Sequence, residues 1–426
     1  MKHTVEEFTL DNGVKGLLID VPGATVMDYE LNFRAGHYLV KRNKWEVPHI
    51  MEHLVLGANN KFPQARLFQA EFEKNGAYSN ATTSTYSVNY IAECADFEWK
   101  RILDLLKISV EEPLFLENEF IAEKGNVREE LTGDLNNHFR QLIISAREKM
   151  GFVGLLETEK LKLLDGIKLK DISDHYKKTH HSDNMRFIIS GAVKKRQKSI
   201  IGALESINLP RGERYELPDE TPIPQKDVNY IHWEGVENLF FYFETFSHLI
   251  MEPVQEDAMV LLNVMLTNTL HSKILGEARA RGLVYHMSSN FNNFKLGSGW
   301  WFGAQIMESN APALFEIMVR EIKNVLDGKI DDADIESARQ YCLGRYQRGI
   351  QTVNGLVRGY GGGYFFDERI DDYYAIPARY KEVNKNQMID VARQMFSENV
   401  WGLHILGTAG EKVAQDLNSR LVPLFN

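Results

Sequence analysis

The sequence predicts an α+β fold built as two similar domains, and three observations point there. Segments with the two-residue period of strands mix with segments of helical period, without a strict β-α-β rhythm. Near the middle, "LPRGERYELPDETPIPQKD" (209–227) holds four of the twelve prolines, many charges and no periodicity. Proline there fixes φ and removes donors, so this stretch reads as a linker. The two sides of it echo each other: "NMRFIISGAV" begins at Asn184 and "NVWGLHILGTAG" at Asn399, 215 positions later, each after a helical segment. A buried strand ending in glycine is common, but an offset near half the chain favours two domains of like construction. The expected division is 1–208, a linker at 209–227, and 228–426.

Taken in order, "MKHTVEEFTLDNG" has Glu6 and Glu7 where a secretion signal needs an apolar run. No window approaches the roughly 18 apolar residues of a membrane span. "LNFRAGHYL" (31–39) reads as a strand, with His37 expected in the core or at its rim. In "PHIMEHLVLG" (48–57), Pro48 suits a first helical turn and Gly57 the position past the helix end. Helical spacing recurs at 67–72, in "WKRILDLLKISVEE" (99–112) and at 387–396. "YSVNYIAE" (86–93) alternates Tyr86, Val88 and Tyr90 with polar residues, the pattern of a half-buried strand. The doublet His180–His181 sits in a polar run and is expected in a surface loop. "GSGWWFG" (297–303) reads as a strand whose aromatics pack on helices. "RGYGGGYFF" (358–366) lacks the Lys-Ser/Thr of a phosphate loop, so a flexible turn or hinge is expected, not a nucleotide site.

Composition narrows the function classes. The apolar and charged fractions are those of an ordinary globular protein. A formal net charge of -10 disfavours nucleic acid and anionic membranes as partners. Two cysteines, Cys94 and Cys342, are too few for a disulfide framework or a Cys-rich zinc site, and read as buried apolar residues in a reducing, cytoplasmic compartment.

The chemistry concentrates between residues 48 and 57. His49 and His53, four apart, share one face of a helix and can chelate a metal together. Glu52 shares that side, placed to act as a base beside the metal. The order His-x-x-Glu-His is the inverse of the common metallopeptidase motif, the inverzincin pattern. Zinc needs at least one more protein ligand. "EFIAEKGNVREELTGD" (119–134) offers Glu123 and Glu130, seven apart and on one helical face, with Glu129 turned about 100° away. One of the pair could meet the metal and the other a ligand histidine. A solvated acidic helix is the plainer alternative.

With these motifs the sequence resembles the M16 family of zinc peptidases (pitrilysin, insulysin, mitochondrial processing peptidase) over nearly its whole length. Glu130 stands 77 positions after His53, where the family places its third ligand. Glu123 matches the family's second glutamate. "NGAYSNATTSTYSVNY" (75–90) resembles the family stretch leading into a strand near the metal, which implies substrate binding at Asn80 and Ala81. "RARGLVYHMSS" (279–289) resembles the family's Arg…Tyr element, which implies roles for Arg279 and Tyr285. Ala278 occupies the usual register of that arginine; Arg279 and Arg281 stand one and three positions after it, and Arg279 is preferred.

The resemblance implies a half-clam of two duplicated α+β sandwich domains, the second bearing the Arg/Tyr element. It implies a zinc-dependent endopeptidase whose chamber needs two such halves, from a homodimer or from a second M16-like subunit. Zinc would be held by His49, His53 and Glu130, with Glu52 as the base. The competing expectation is a catalytically silent scaffold subunit of a heteromeric complex.

Overall fold

The computed structural model describes residues 1–225 and 227–425. Residue 226, in the expected linker, and residue 426, the last of the expected second domain, lie outside the described residues. The first six strands are Thr4–Thr9 (β1), Lys15–Asp20 (β2), Val26–Phe33 (β3), Tyr78–Thr83 (β4), Val88–Ala95 (β5) and Met185–Gly191 (β6). Five more follow: Asn229–His232 (β7), Leu239–Ser247 (β8), Met287–Phe294 (β9), Gly297–Ile306 (β10) and Val400–Gly407 (β11). The helices of the first half are Val47–Val55 (α1), Ala65–Glu73 (α2), Trp99–Glu111 (α3), Glu117–Asp134 (α4), His138–Lys149 (α5), Glu157–Leu163 (α6), Leu169–Thr179 (α7) and Gln197–Glu205 (α8). Those of the second are Pro253–Asn263 (α9), Lys273–Ala280 (α10), Ala311–Leu326 (α11), Asp332–Gly349 (α12), Val353–Asp367 (α13), Ile376–Glu382 (α14), Lys385–Ser397 (α15) and Glu411–Leu421 (α16).

The chain is an α+β protein of two compact units. The first comprises Met1–Gly133, Glu157–Leu217 and Gln347–Asp371; the second comprises Asp134–Leu156, Pro218–Tyr346 and Asp372–Asn426. Each is built on one mixed sheet.

In the first unit the strand order is β1-β2-β6-β3-β5-β4, with β2 and β6 parallel and the other neighbours antiparallel. The two-residue period sorts side chains to opposite faces. Met27, Tyr29, Leu31 and Phe33 of β3 join Val88, Tyr90 and Ala92 of β5 in a core with Ile50, Met51 and Leu54 of α1 and Ile102 and Leu106 of α3. The alternate residues of β3, Asp28, Glu30 and Asn32, are buried on the opposite face. Helix α13 meets that face: Asn354 Nδ2 donates to Asp28 (2.8 Å), Tyr364 donates to Glu7 (3.1 Å), and His3 and Tyr360 share a bond of 2.8 Å.

The second unit repeats the plan with the order β7-β11-β8-β10-β9. Phe241, Phe243, Trp300 and Phe302 pack on α9, α11 and α15. On the other face, Leu142 and Ala146 of α5 pack with Tyr242 and Leu406. Here β11 runs parallel to β7 and antiparallel to β8, just as β6 runs parallel to β2 and antiparallel to β3. The echo at Asn184 and Asn399 is therefore one strand of a repeated sheet.

The strand expected over 31–39 stops at Phe33, and His37–Leu39 form a 3-10 turn; two further local expectations fail for tertiary reasons. The glycine-rich run 358–366 is no turn; it lies within α13, which Thr352 caps by accepting from Gly355 N–H (2.9 Å). Glycine costs about 1 kcal/mol in a helix interior, and burial against the sheet overrides that preference. A Cβ at Gly361 would lie 3.8 Å from Glu30 and Ile188, so the helix rests directly on the strands. Nor is His180 in a surface loop: it is buried, stacked between Phe33 (4.3 Å) and Tyr176 (4.5 Å), and bonded to Tyr90 OH (3.0 Å).

Candidate metal centre

Helix α1 starts beyond Glu46 with Pro48 in its first turn, where a missing N–H is no loss. Ile50, Met51, Leu54 and Val55 bury one side in the core, so His49 and His53 project together from another. Their ring centroids are 5.0 Å apart. Helix α4 is tied beside α1 by Glu119, whose carboxylate accepts from Ala58 N–H and Ala65 N–H, both at 3.0 Å. With Phe120, Val127 and Leu131 buried, the face carrying Glu123 and Glu130 is presented to α1. Glu129 is exposed.

His53 Nδ1 donates to Glu123 Oε2 at 2.8 Å, and His49 Nδ1 to Glu46 Oε2 at 2.8 Å. Both imidazoles are thus oriented through Nδ1, which leaves each Nε2 for a metal. His49 Nε2 lies 3.3 Å from Glu130 Oε2. Ligand atoms of His49, His53 and Glu130 all fall within 4.8 Å of one another, and among the described residues theirs is the one such group of three. Bonds of about 2.0 Å to a tetrahedral zinc give a donor-to-donor edge of about 3.3 Å, the separation of His49 Nε2 and Glu130 Oε2, and two imidazole nitrogens with a carboxylate oxygen suit zinc in chemistry. Burial lowers the affinity of His49 for a proton, but hydrogen bonds to Glu130 and Glu46 outweigh it and raise its pKa. The bond to His49 correspondingly lowers Glu130, and the bond to His53 lowers Glu123.

Glu52 is buried on the same helix, and Thr83 Oγ1 donates to its Oε2 at 2.6 Å. Burial raises its pKa against the pull of Thr83 and of both histidines. Thr83 ends β4, the edge strand, paired with β5 alone. Asn80 and Ala81 lie on that edge, Asn80 exposed and Ala81 buried. His37 is buried, stacked on Trp45 at 5.0 Å and bonded to Trp45 O at 2.8 Å.

The remaining sequence candidates belong to the second unit. Tyr285 is 81% exposed and follows α10. The Arg279 guanidinium sits 4.4 Å from its ring centroid and donates to its backbone carbonyl. Arg281 instead pairs with Glu277 (3.1 Å), and Ala278 is fully buried. Arg279 and Tyr285 border a cavity of about 740 Å³ that also meets Phe139, Phe240, His286 and Met307.

Sequence reasoning passed over Glu46, Thr83 and Glu119. Glu46 is three residues before His49, a spacing that signals contact on a helix, but Pro48 suggested a helix beginning after it. The other two act through contacts that no local pattern marks.

Fold and site together define a duplicated α+β protein with a His₂Glu donor set beside a glutamate. The chain belongs to peptidase family M16. Residues 18–153 match the model of insulinase (peptidase family M16), and residues 166–342 match that of the peptidase M16 inactive domain. A protease from Helicobacter pylori superposes with a TM-score of 0.80 at 17% identity, covering 95% of this chain and 100% of that one. A peptidase M16 inactive domain from Pseudomonas fluorescens gives 0.80 at 15% identity, over 96% and 98%. The A-factor-processing enzyme of Saccharomyces cerevisiae is 29% identical over 128 residues, which are 30% of this chain and 12% of that enzyme. No described helix is long and apolar enough to cross a membrane.

Proposed function

We propose that the chain is a zinc-dependent endopeptidase that cleaves peptides or unfolded segments in a chamber shared by two half-clam subunits, two copies of itself or one copy with another M16-like chain. The observation that carries this reading is a three-donor site with Nδ1 of both histidines held by carboxylates, beside a buried glutamate. His49, His53 and Glu130 would hold zinc, which when bound supplies Lewis-acid polarisation of the scissile carbonyl and acidifies water. Glu52 takes the proton of the attacking water and returns it to the departing amine nitrogen. Thr83 keeps that carboxylate turned toward the donors. The free edge of β4, at Asn80 and Ala81, accepts the substrate as an added strand, which favours extended peptides with little sequence preference. Tyr285 and Arg279, from the same or a second chain, grip the substrate or stabilise the tetrahedral oxyanion. A cytoplasmic setting keeps Cys94 and Cys342, both free and buried, reduced.

The test is zinc content per chain, solution mass, and peptide cleavage by the parent and by Glu52→Gln. One zinc in each, a two-subunit mass, and a rate loss of about 10²–10⁴ in the variant are expected. Equal cleavage by both would remove Glu52 from its role. Zinc-free, inactive parent protein would favour the silent scaffold.

A further inference from the structure

Glu46, which no sequence motif assigns, touches His49, and its role rests on the reading of His49 as a metal ligand. Glu46 stands at the N-cap of α1, where a carboxylate ordinarily accepts from a backbone N–H two or three residues on. Its side chain makes no such bond. It turns instead to His49 Nδ1 at 2.8 Å, and its other oxygen, Oε1, accepts no hydrogen bond. The nearest cation is Lys160 Nζ, 4.0 Å from Oε1 and 3.5 Å from Glu157 Oε1. Glu46, Lys160 and Glu157 are all buried, at 2%, 7% and 0% exposure.

Burying such a row of charges is costly, and stability alone does not explain it, since apolar residues of similar volume often serve as well. What an apolar residue cannot do is accept a proton bond from an imidazole. We infer that Glu46 is a positioning residue that fixes the ring of His49 with Nε2 directed at the metal, with the Lys160 ammonium 4.0 Å from its other oxygen. The two histidines are then oriented in different ways. His53 takes its carboxylate from Glu123 on α4, so its orientation depends on α4 being docked. His49 takes its own from one turn earlier on α1, so the first ligand is set by the helix that carries it.

The experiment measures zinc affinity of the full chain at fixed pH by competition with a chromophoric chelator, for the parent, Glu46→Gln and Glu46→Ala. Melting of each zinc-free chain and the visible spectrum of each cobalt(II)-loaded chain are recorded alongside. Loss of an outer carboxylate partner of this kind weakens metal binding by about 10–100-fold. That loss is expected for Glu46→Ala and a smaller one for Glu46→Gln, which keeps an acceptor but not the charge. The cobalt spectrum should shift in both, while the zinc-free chains melt alike. Affinity within twofold of the parent in both variants would overturn the inference, as would a loss fully matched by unfolding of the zinc-free chain. A parent that binds no zinc would instead strike at the proposed function, leaving the two failures distinct.

Discussion

At the residue scale, what was legible in the sequence followed helical spacing. His49, His53 and Glu52 fall on one face by period alone, and Glu123 and Glu130 do so on a second helix, though only the family resemblance chose between them as ligand. Thr83 was not legible, because its bond to Glu52 joins residues 31 positions apart. That bond nonetheless has a specific consequence. A carboxylate that takes a proton must keep one oxygen aimed at water, and the hydroxyl at 2.6 Å fixes the other. Thr83→Val should lower kcat for peptide cleavage by about tenfold, in line with loss of one hydrogen bond to a charged group. Thr83→Ser should retain most of the rate, and both should keep full zinc. Peptide kinetics with metal analysis check this; a Val variant that cleaves normally, or one that loses zinc, would contradict it.

At the element scale, the strands and helices that were legible are those where burial and period agree, as in β5, where Val88, Tyr90, Ala92 and Cys94 turn inward. Helix α13 was not, since its glycines argue locally for a turn and its helical state depends on what it covers. It covers acids. Burial raises Asp28 to about 6 and Glu30 to about 7, the latter helped by Asp28, against opposing pulls from Asn354, Asn89 and Arg358. With folded values above unfolded ones, the native state holds the extra protons, so their contribution is full below about 4 and is lost as pH rises toward 7. Protection factors of β3 and α13 amides, taken relative to the intrinsic base-catalysed rate, should therefore fall from pH 4.5 to 7.5. Glu30→Gln should flatten that dependence and stabilise the region at pH 7.5 on the order of 1–3 kcal/mol. An unchanged pH dependence in the variant would assign it to other groups.

At the scale of the whole molecule, the repeat was visible in the 215-residue echo, and the repeated sheets account for it. Invisible was the exchange of segments: residues 134–156 belong with the second sheet and residues 347–371 with the first. Nothing local marks a helix as intended for a sheet hundreds of positions away. A fragment of residues 1–217 made alone should thus lack the cover of one sheet face, exchange β3 and β6 amides rapidly and aggregate, and co-expression with 218–426 should restore a soluble complex. Native protection in the lone fragment would refute this. The same exchange sets a timetable for biosynthesis. A nascent chain carries Phe139 and Leu142 without their apolar partners until β8 and β11 are translated, and Asp28 and Glu30 stay open to water until Val353–Asp367 has left the ribosome. The half that carries the His49–His53–Glu130 donor set, though first to be made, is among the last parts to be finished, so its unpaired surface is exposed longest during synthesis.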